Sequence, residues 1–422
     1  MSALQTIAIV GSGLAGVTAA GSLREAGFSG RVLLIGDEPE LPYDRPPLSK
    51  SVLVHDEYAG LIAAHQPDDI ALRAPENIAL RAAAWYHAQR IELMLGQRVT
   101  GINPSGHSLV LADGRNFSYD RLILAPGARP RRLAPLESGA VAHSYLRTLR
   151  DAVAMRRHLR PGKRIVLLGG GVIGMEVAAS AVLRDCDVTV AELAPRIMAR
   201  ALPPAVSDFV AAYHRLKGVK LNLAVEVVGQ APAAMPGLLL RDGSVLGADL
   251  IAIGIGVLPN VELAQAAGLL CDNGIVVDAL GATSAADIFA AGDAVRYPDS
   301  FFGITMRSEN WMHAQNQAIA VARNVLGANE PYRQIPYMWS DQYDLKIQAT
   351  GRFDTDQHVL RGDPAKSKFM YLHLSEQRVV GASGINEARD IKYVQRLIEL
   401  RTLVEANSLA DPAFSLKKAA AD

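Results

Sequence analysis

The chain has 422 residues, and at roughly 150 residues per domain it divides into two or three. Lysine and arginine number 43, as do aspartate and glutamate, while 50% of the residues are hydrophobic and 20% charged. This composition suits a well-packed globular protein. It excludes a largely disordered chain and the basic excess of a dedicated nucleic-acid binder.

The first element in chain order is an apolar strand, Thr6–Val10, that runs into Gly11-Ser12-Gly13-Leu14-Ala15-Gly16 and then a helix over 17–26. A second strand, Arg31–Ile35, ends beside Asp37, about 20 residues beyond the last glycine. In such a unit the first glycine permits the tight turn and the second lets the backbone approach a pyrophosphate. The third lets helix and strand pack closely, and the acid accepts from ribose hydroxyls. The free N–H groups and positive dipole end of the helix face the phosphates. Further on, Tyr119–Pro130 reads as a strand entering a Pro/Gly turn.

The whole arrangement then recurs. Strand Arg164–Leu168 meets Gly169-Gly170-Gly171-Val172-Ile173-Gly174, a helix begins near Met175, and strand Asp187–Val190 ends at Glu192. Two dinucleotide sites in one chain imply one nucleotide that stays and one that visits. Glu192 bonds a free 2′-hydroxyl and repels a 2′-phosphate, which favours NADH over NADPH; Arg196 and Arg200 stand close enough to soften that preference. Downstream come a buried strand over 248–256 and the run Ile288-Phe-Ala-Ala-Gly-Asp293. After residue 329 the texture changes to short strands (336–339, 345–348, 369–374, 379–386) and an amphipathic helix over 390–405.

Only two cysteines, Cys186 and Cys271, are present. Their spacing matches no metal motif and no disulfide framework, so neither a metal site nor a chain-borne iron–sulfur cluster is expected. Scarce cysteine fits a reducing compartment. No apolar run approaches the length of a membrane span, and a strand begins almost at once with no basic segment before it. The expected location is the cytoplasm, with no membrane and no nucleic acid as partner.

The order of these motifs resembles the two-dinucleotide flavoprotein reductases of the glutathione-reductase-like superfamily. Ala125-Pro126-Gly127 is similar to that superfamily's ATG turn with proline in place of threonine, and Ala291-Gly292-Asp293 to its second flavin motif. Many members carry a redox cysteine pair near the flavin; no closely spaced pair exists here, so a dithiol relay is excluded. Instead Glu40-Leu-Pro-Tyr-Asp-Arg45-Pro-Pro-Leu-Ser-Lys50 resembles the FAD-dependent NADH:ferredoxin reductases of bacterial oxygenase systems. Tyr145–Thr148, Arg307–Trp311 with Ala314–Gln317, and Trp339–Tyr343 agree.

The resemblance implies an α/β chain with two Rossmann-like dinucleotide-binding domains and an α+β C-terminal domain. The expected boundaries are a discontinuous FAD domain at 1–125 and 248–328, an NADH domain at 126–247 and a C-terminal domain at 329–422. By resemblance FAD is contacted by Gly11, Ser12, Gly13, Leu14, Ala15, Gly16, Asp37, Arg45, Lys50, Val99, Arg147, Asp293 and Trp311. NADH is contacted by Gly169, Gly171, Val172, Ile173, Gly174, Glu176, Glu192, Arg200, Gly256 and Glu309. Lys50 and Glu176 are the catalytic candidates, and Trp339 is a second aromatic expected to flank the flavin.

The resemblance implies that Glu176 lies near the nicotinamide and Lys50 and that Glu309 holds the nicotinamide carboxamide; Glu176 also has a plain reading as a carboxylate stabilising a helix N-terminus, and Glu309 as a partner of Arg307. The implied electron acceptor is a [2Fe–2S] ferredoxin, plant-type or Rieske-type, with the cluster on the partner and the reductase a monomer or weak dimer. The oxygenase served is a ring-hydroxylating dioxygenase or a cytochrome P450, with the sequence leaning to the former. Rival readings are a rubredoxin-reducing or nitrite-reductase-like flavoprotein, and a signalling flavoprotein resembling apoptosis-inducing factor. Arg73, Arg296, Arg307 and Lys346 are expected to form a basic docking patch for an acidic ferredoxin.

Overall fold

In the computed structural model, residues 4–58, 75–355 and 357–421 are described. They fall into two units: Met1–Asp44, Ala63–Arg129 and Val257–Gln334 make the first, and Arg45–Ile62, Pro130–Gly256 and Ile335–Asp422 the second.

The first unit is built on a parallel sheet in the order Ile288–Ala290, Arg121–Leu124, Thr6–Val10, Arg31–Ile35, Ile91–Met94. Its strands are apolar on both faces because both faces are covered. Ile7, Ile9, Val32, Leu34 and Ile123 point to one core, which also takes in helices Leu14–Glu25 and Trp311–Val325. Their alternates Ala8, Val10, Leu33, Ile35, Leu122 and Leu124 point to the other, closed by Val99, Leu109 and Leu111 of a small antiparallel sheet.

The second unit repeats the parallel sheet in the order Lys220–Leu223, Asp187–Glu192, Arg164–Leu168, Leu250–Ile253, Ala142–Tyr145. It also contains an antiparallel sheet in the order Tyr337–Gln342, Leu345–Gly351, Arg378–Ile385, Lys368–Ser375, Gln357–Asp363. Helix Ala388–Leu400 buries Ile391, Val394, Leu397 and Ile398, one stripe at helical spacing.

Three expectations need correction. Leu250–Ile253 pairs in parallel with Arg164–Leu168, so the stretch that returns to the first unit begins at Val257 and not at 248. The segment after Asp44 belongs to the second unit: Leu48, Val52 and Leu53 are buried, and its carbonyls are gripped by Ser180 (2.7 Å to Ser49 O), Arg156 (2.9 Å to Val52 O) and Arg184 (3.1 Å to Val54 O). The last long helix stops at Leu400, where Arg401 turns left-handed, rather than running to 405. Among the described residues no helix is long and apolar enough to cross a membrane.

His214, His313 and His373 are buried, and burial pushes each down to about 4 from 6.5. The unfolded chain therefore binds more protons than the fold between these values. Their contribution is complete above pH 6.5 and is lost as the pH falls towards 4, at up to about 1.4 kcal/mol per pH unit for each. Thermal melting followed from pH 7.5 to 5 should show Tm falling below pH 6.5, with a smaller fall in His214→Gln.

Candidate functional site

Each glycine turn is a set of close backbone approaches. Gly11 has φ +109° and donates its N–H to Ile35 O at 2.8 Å; a Cβ there would sit 2.0 Å from Ala125 O. A Cβ on Gly16 would sit 1.8 Å from Gly11 O. The second turn copies this. Gly169 has φ +105° and donates to Ala191 O at 2.9 Å; its Cβ would meet Gly254 O at 2.5 Å, and that of Gly174 would meet Gly169 O at 2.1 Å.

Among the described residues, Gly13 and Gly171 cap the following helices with no side-chain hydrogen bond, and nothing lies within 4 Å of where their Cβ would be. Each helix N-terminus thus has uncapped N–H groups beside open space, with Leu14 and Ala15, or Val172 and Ile173, as its first residues. That arrangement suits a pyrophosphate. Ser12 fills the space beside Gly36, and Asp37 is exposed at the end of Arg31–Ile35.

The first unit brings Gly11–Gly16 together with Asp37, Val99, Asp293, Glu309 and Trp311. The Val99 side chain lies in the core. Gly292, before Asp293, donates its N–H to Gln317 Oε1 at 2.8 Å. The Trp311 indole donates to Asp44 Oδ1 at 2.7 Å, a partner that sequence reasoning did not single out. Nor did it assign a role to Asn260, which holds the Ala125–Gly127 turn through Pro126 O (2.8 Å) and Gly127 O (3.0 Å). Glu309 pairs with Arg307 at 2.5 Å and falls in the first unit.

The second unit gathers Arg45, Lys50, Arg147, Gly169–Gly174, Glu176, Glu192, Arg200 and Gly256. Arg45 donates to the Arg147 carbonyl, and the Arg147 N–H to Asp151 Oδ2 at 3.0 Å. Glu192 accepts from the N–H groups of Gly170 (2.6 Å) and Ala194 (2.7 Å), so it braces the glycine turn as well as standing at the strand end. Arg196 is tied to the carbonyls of Leu202 (2.7 Å) and Ala199 (3.0 Å). Arg200 is exposed, 3.7 Å from the position of a Cβ on Gly256.

Glu176 departs from its helix-dipole reading. It lies beyond the first turn of helix Val172–Val182, where the dipole has faded, so capping is not its role. Only 3% exposed, its carboxylate takes Lys50 Nζ at 2.9 Å, the Ser340 hydroxyl at 2.6 Å and the Ser49 hydroxyl. A buried carboxylate persists only with such compensation. Neither serine was singled out from sequence, although both lie inside the segments that carried the resemblance.

The docking patch is also revised. Arg73 lies outside the described residues. Arg296 and Arg307 stand opposite one another on antiparallel strands, but Asp272 and Glu309 compensate them. Lys346 is in the other unit. Cys186 and Cys271 are both free thiols, and burial raises both above the usual thiol range, the opposite of a reactive thiol.

Residues 5–318 match the family described as Pyridine nucleotide-disulphide oxidoreductase, and residues 337–420 match Reductase C-terminal. The chain belongs to the pyridine nucleotide-disulphide oxidoreductase family and carries the reductase C-terminal domain. It is 42% identical to the anthranilate 1,2-dioxygenase system ferredoxin–NAD(+) reductase component of Burkholderia cepacia, over 97% of this chain and 98% of that protein. Among solved structures, the ferredoxin reductase for the CYP199A2 system of Rhodopseudomonas palustris matches with TM-score 0.91 at 37% identity, covering 99% of this chain and all of that one. The covalent putidaredoxin reductase–putidaredoxin complex matches with TM-score 0.88 at 37% identity, covering 99% and 98%.

Proposed function

We propose that this chain is an FAD-dependent NADH:ferredoxin reductase that serves a bacterial oxygenase through a [2Fe–2S] ferredoxin, plant-type or Rieske-type. The observation that carries the reading is the repeated glycine turn, each before an uncapped helix with room for a pyrophosphate, in a chain without any cysteine pair. The relatives' names support ferredoxin as acceptor, and the anthranilate dioxygenase component supports the lean to a dioxygenase.

In this reading FAD lies on the turn at Gly11–Gly16 with Asp37, Asp293 and Trp311, and NADH on the turn at Gly169–Gly174 with Glu192. When bound, the two cofactors supply transfer of an electron pair from nicotinamide to flavin and its release one electron at a time. The chain contributes alignment and water exclusion. The Asp44 bond fixes the Trp311 indole, Glu176 fixes the Lys50 ammonium, and Glu192 offers acceptor lone pairs beyond those its backbone bonds use.

Anaerobic stopped-flow mixing tests the reading. NADH should bleach the flavin faster than NADPH, and a [2Fe–2S] ferredoxin should reoxidise it faster than rubredoxin; equal rates with the two acceptors would remove ferredoxin as the assignment. Glu192→Ala should raise the NADH Kd about tenfold, the worth of one charge-assisted hydrogen bond, and narrow the gap to NADPH. Titration of the oxidised holoprotein with NAD+ and NADP+ measures both.

A further inference from the structure

Beyond Glu176 the hydrogen bonds continue. Ser340 donates to Glu176 Oε1 at 2.6 Å and accepts from Gln342 Nε2 at 3.0 Å. Gln342 Oε1 lies 2.8 Å from His214 Nε2, and His214 Nδ1 lies 3.3 Å from the Tyr343 hydroxyl. Glu176, Ser340, Gln342 and His214 are all at most 3% exposed. The amide oxygen can only accept, so His214 carries its proton on Nε2. Burial holds the ring neutral, down to about 4, so Nδ1 accepts from Tyr343. Every donor in the series therefore points towards the carboxylate: Tyr343 to His214, His214 to Gln342, Gln342 to Ser340, Ser340 to Glu176. Bonds aligned head to tail in a low-dielectric interior polarise one another.

We propose that Ser340 and Gln342, in the C-terminal sheet, are positioning residues for the Lys50–Glu176 pair, acting as the last links of a one-way donor chain that ends on the Glu176 carboxylate. The proposal rests on the reductase reading above, because it assigns that reading's charged pair a support. The chemistry of the links is specific. Ser340 has one proton to give, and because the Gln342 amide N–H donates to one of its two lone pairs, that proton goes to Glu176. The second amide proton of Gln342 faces Met198 Sδ at 3.7 Å, so the amide is held from both sides and cannot flip without placing its oxygen against the Ser340 oxygen.

The test uses Ser340→Ala, Ser340→Thr and a control in the same sheet, Ser383→Ala, whose buried hydroxyl has no hydrogen-bond partner among the described residues. Two readouts are taken. Isotope-edited infrared spectra of the apoprotein, with the Glu176 carboxylate band assigned by Glu176→Gln, should show the band shifted in Ser340→Ala, restored in Ser340→Thr and unmoved in Ser383→Ala. Stopped-flow reduction of the holoprotein at saturating NADH should slow about tenfold in Ser340→Ala alone, the loss of one hydrogen bond to a charge, with little change in the NADH Kd. Should Ser340→Ala fail to fold, Gln342→Met, similar in volume, removes the donor to Ser340 and should shift the band in the same sense. An unmoved band, an unchanged rate, or an equal effect in Ser383→Ala overturns the proposal. The infrared arm needs no cofactor, so a protein that failed as a reductase but shifted its band would overturn the functional reading and leave the donor chain standing.

Discussion

Gly11→Ala is expected to yield a protein that purifies without flavin and melts at a lower temperature. Two independent costs fall on one methyl group. The backbone at Gly11 has φ +109°, a region that costs a non-glycine residue about 1–3 kcal/mol. The added carbon would also lie 2.0 Å from the Ala125 carbonyl oxygen, which is backbone and held by the neighbouring strand. Relief requires the strands Thr6–Val10 and Arg121–Leu124 to separate, and overpacking of this kind costs a further ~1–3 kcal/mol. Flavin absorbance per protein and Tm measure the two consequences. Gly13→Ala is the informative companion: its Cβ would meet nothing within 4 Å among the described residues, so Tm should hardly change, while flavin retention drops if that open space is where the pyrophosphate lies. Full flavin content in Gly11→Ala would remove the turn from the binding site.

Glu176→Ala and Glu176→Gln should separate stability from chemistry. Alanine leaves the buried hydroxyls of Ser49 and Ser340 without their acceptor and the Lys50 ammonium without its counter-charge. Breaking a buried pair costs about 3–5 kcal/mol; the lysine side chain is 22% exposed and can turn to water, which places the loss at the lower end. Glutamine keeps one accepting oxygen, and the hydroxyl that meets its NH2 can rotate to accept, so its loss should be about 1–2 kcal/mol. Both variants remove the same negative charge beside Lys50. Flavin reduction by NADH should therefore fall alike in the two, by tenfold or more, while their unfolding free energies differ. Denaturant titration of each, set beside single-turnover reduction, checks this. Rates that track stability would make Glu176 a structural residue only.

Sequence made the local units plain and left distant ones hidden. A strand, three glycines, a helix and an acid all lie within about 40 residues, and each glycine answers a constraint inside that span. Hence both turns were legible, and so was the likeness of one to the other. Nothing comparable marks the segment Pro46–Val54 as part of the second unit. Its placement depends on Ser180, Arg156 and Arg184, more than 100 residues away in the chain. The strand Leu250–Ile253 is uniformly apolar, and such a run fits either parallel sheet; only its pairing with Arg164–Leu168 decides.

Strand Gln357–Asp363 was missed because it is an edge strand, mostly exposed and without clear alternation. Helix Ala388–Leu400 ends on Arg401 in a left-handed conformation, where a glycine would have announced the stop. At the candidate site, Lys50, Glu176 and their nearness to one another all came from the resemblance, but the part played by Ser340 did not. A serine's role is set by what the fold brings to its hydroxyl, and here the acceptor is 164 residues distant.

The interleaving of the two units bears on how the protein is made. Helix Leu14–Glu25 shares its core with helix Trp311–Val325, and Thr6–Val10 lies in a sheet whose edge is Ile288–Ala290. The first glycine turn therefore leaves the ribosome long before its supports exist. At about 5–20 residues per second, the wait is on the order of fifteen seconds to a minute. During that interval the strands at 6–10 and 31–35 expose apolar side chains on both faces. Apoprotein yield should consequently depend on chaperone supply during synthesis more than the stability of the finished fold would suggest, and neither unit can be isolated by a single cut of the chain.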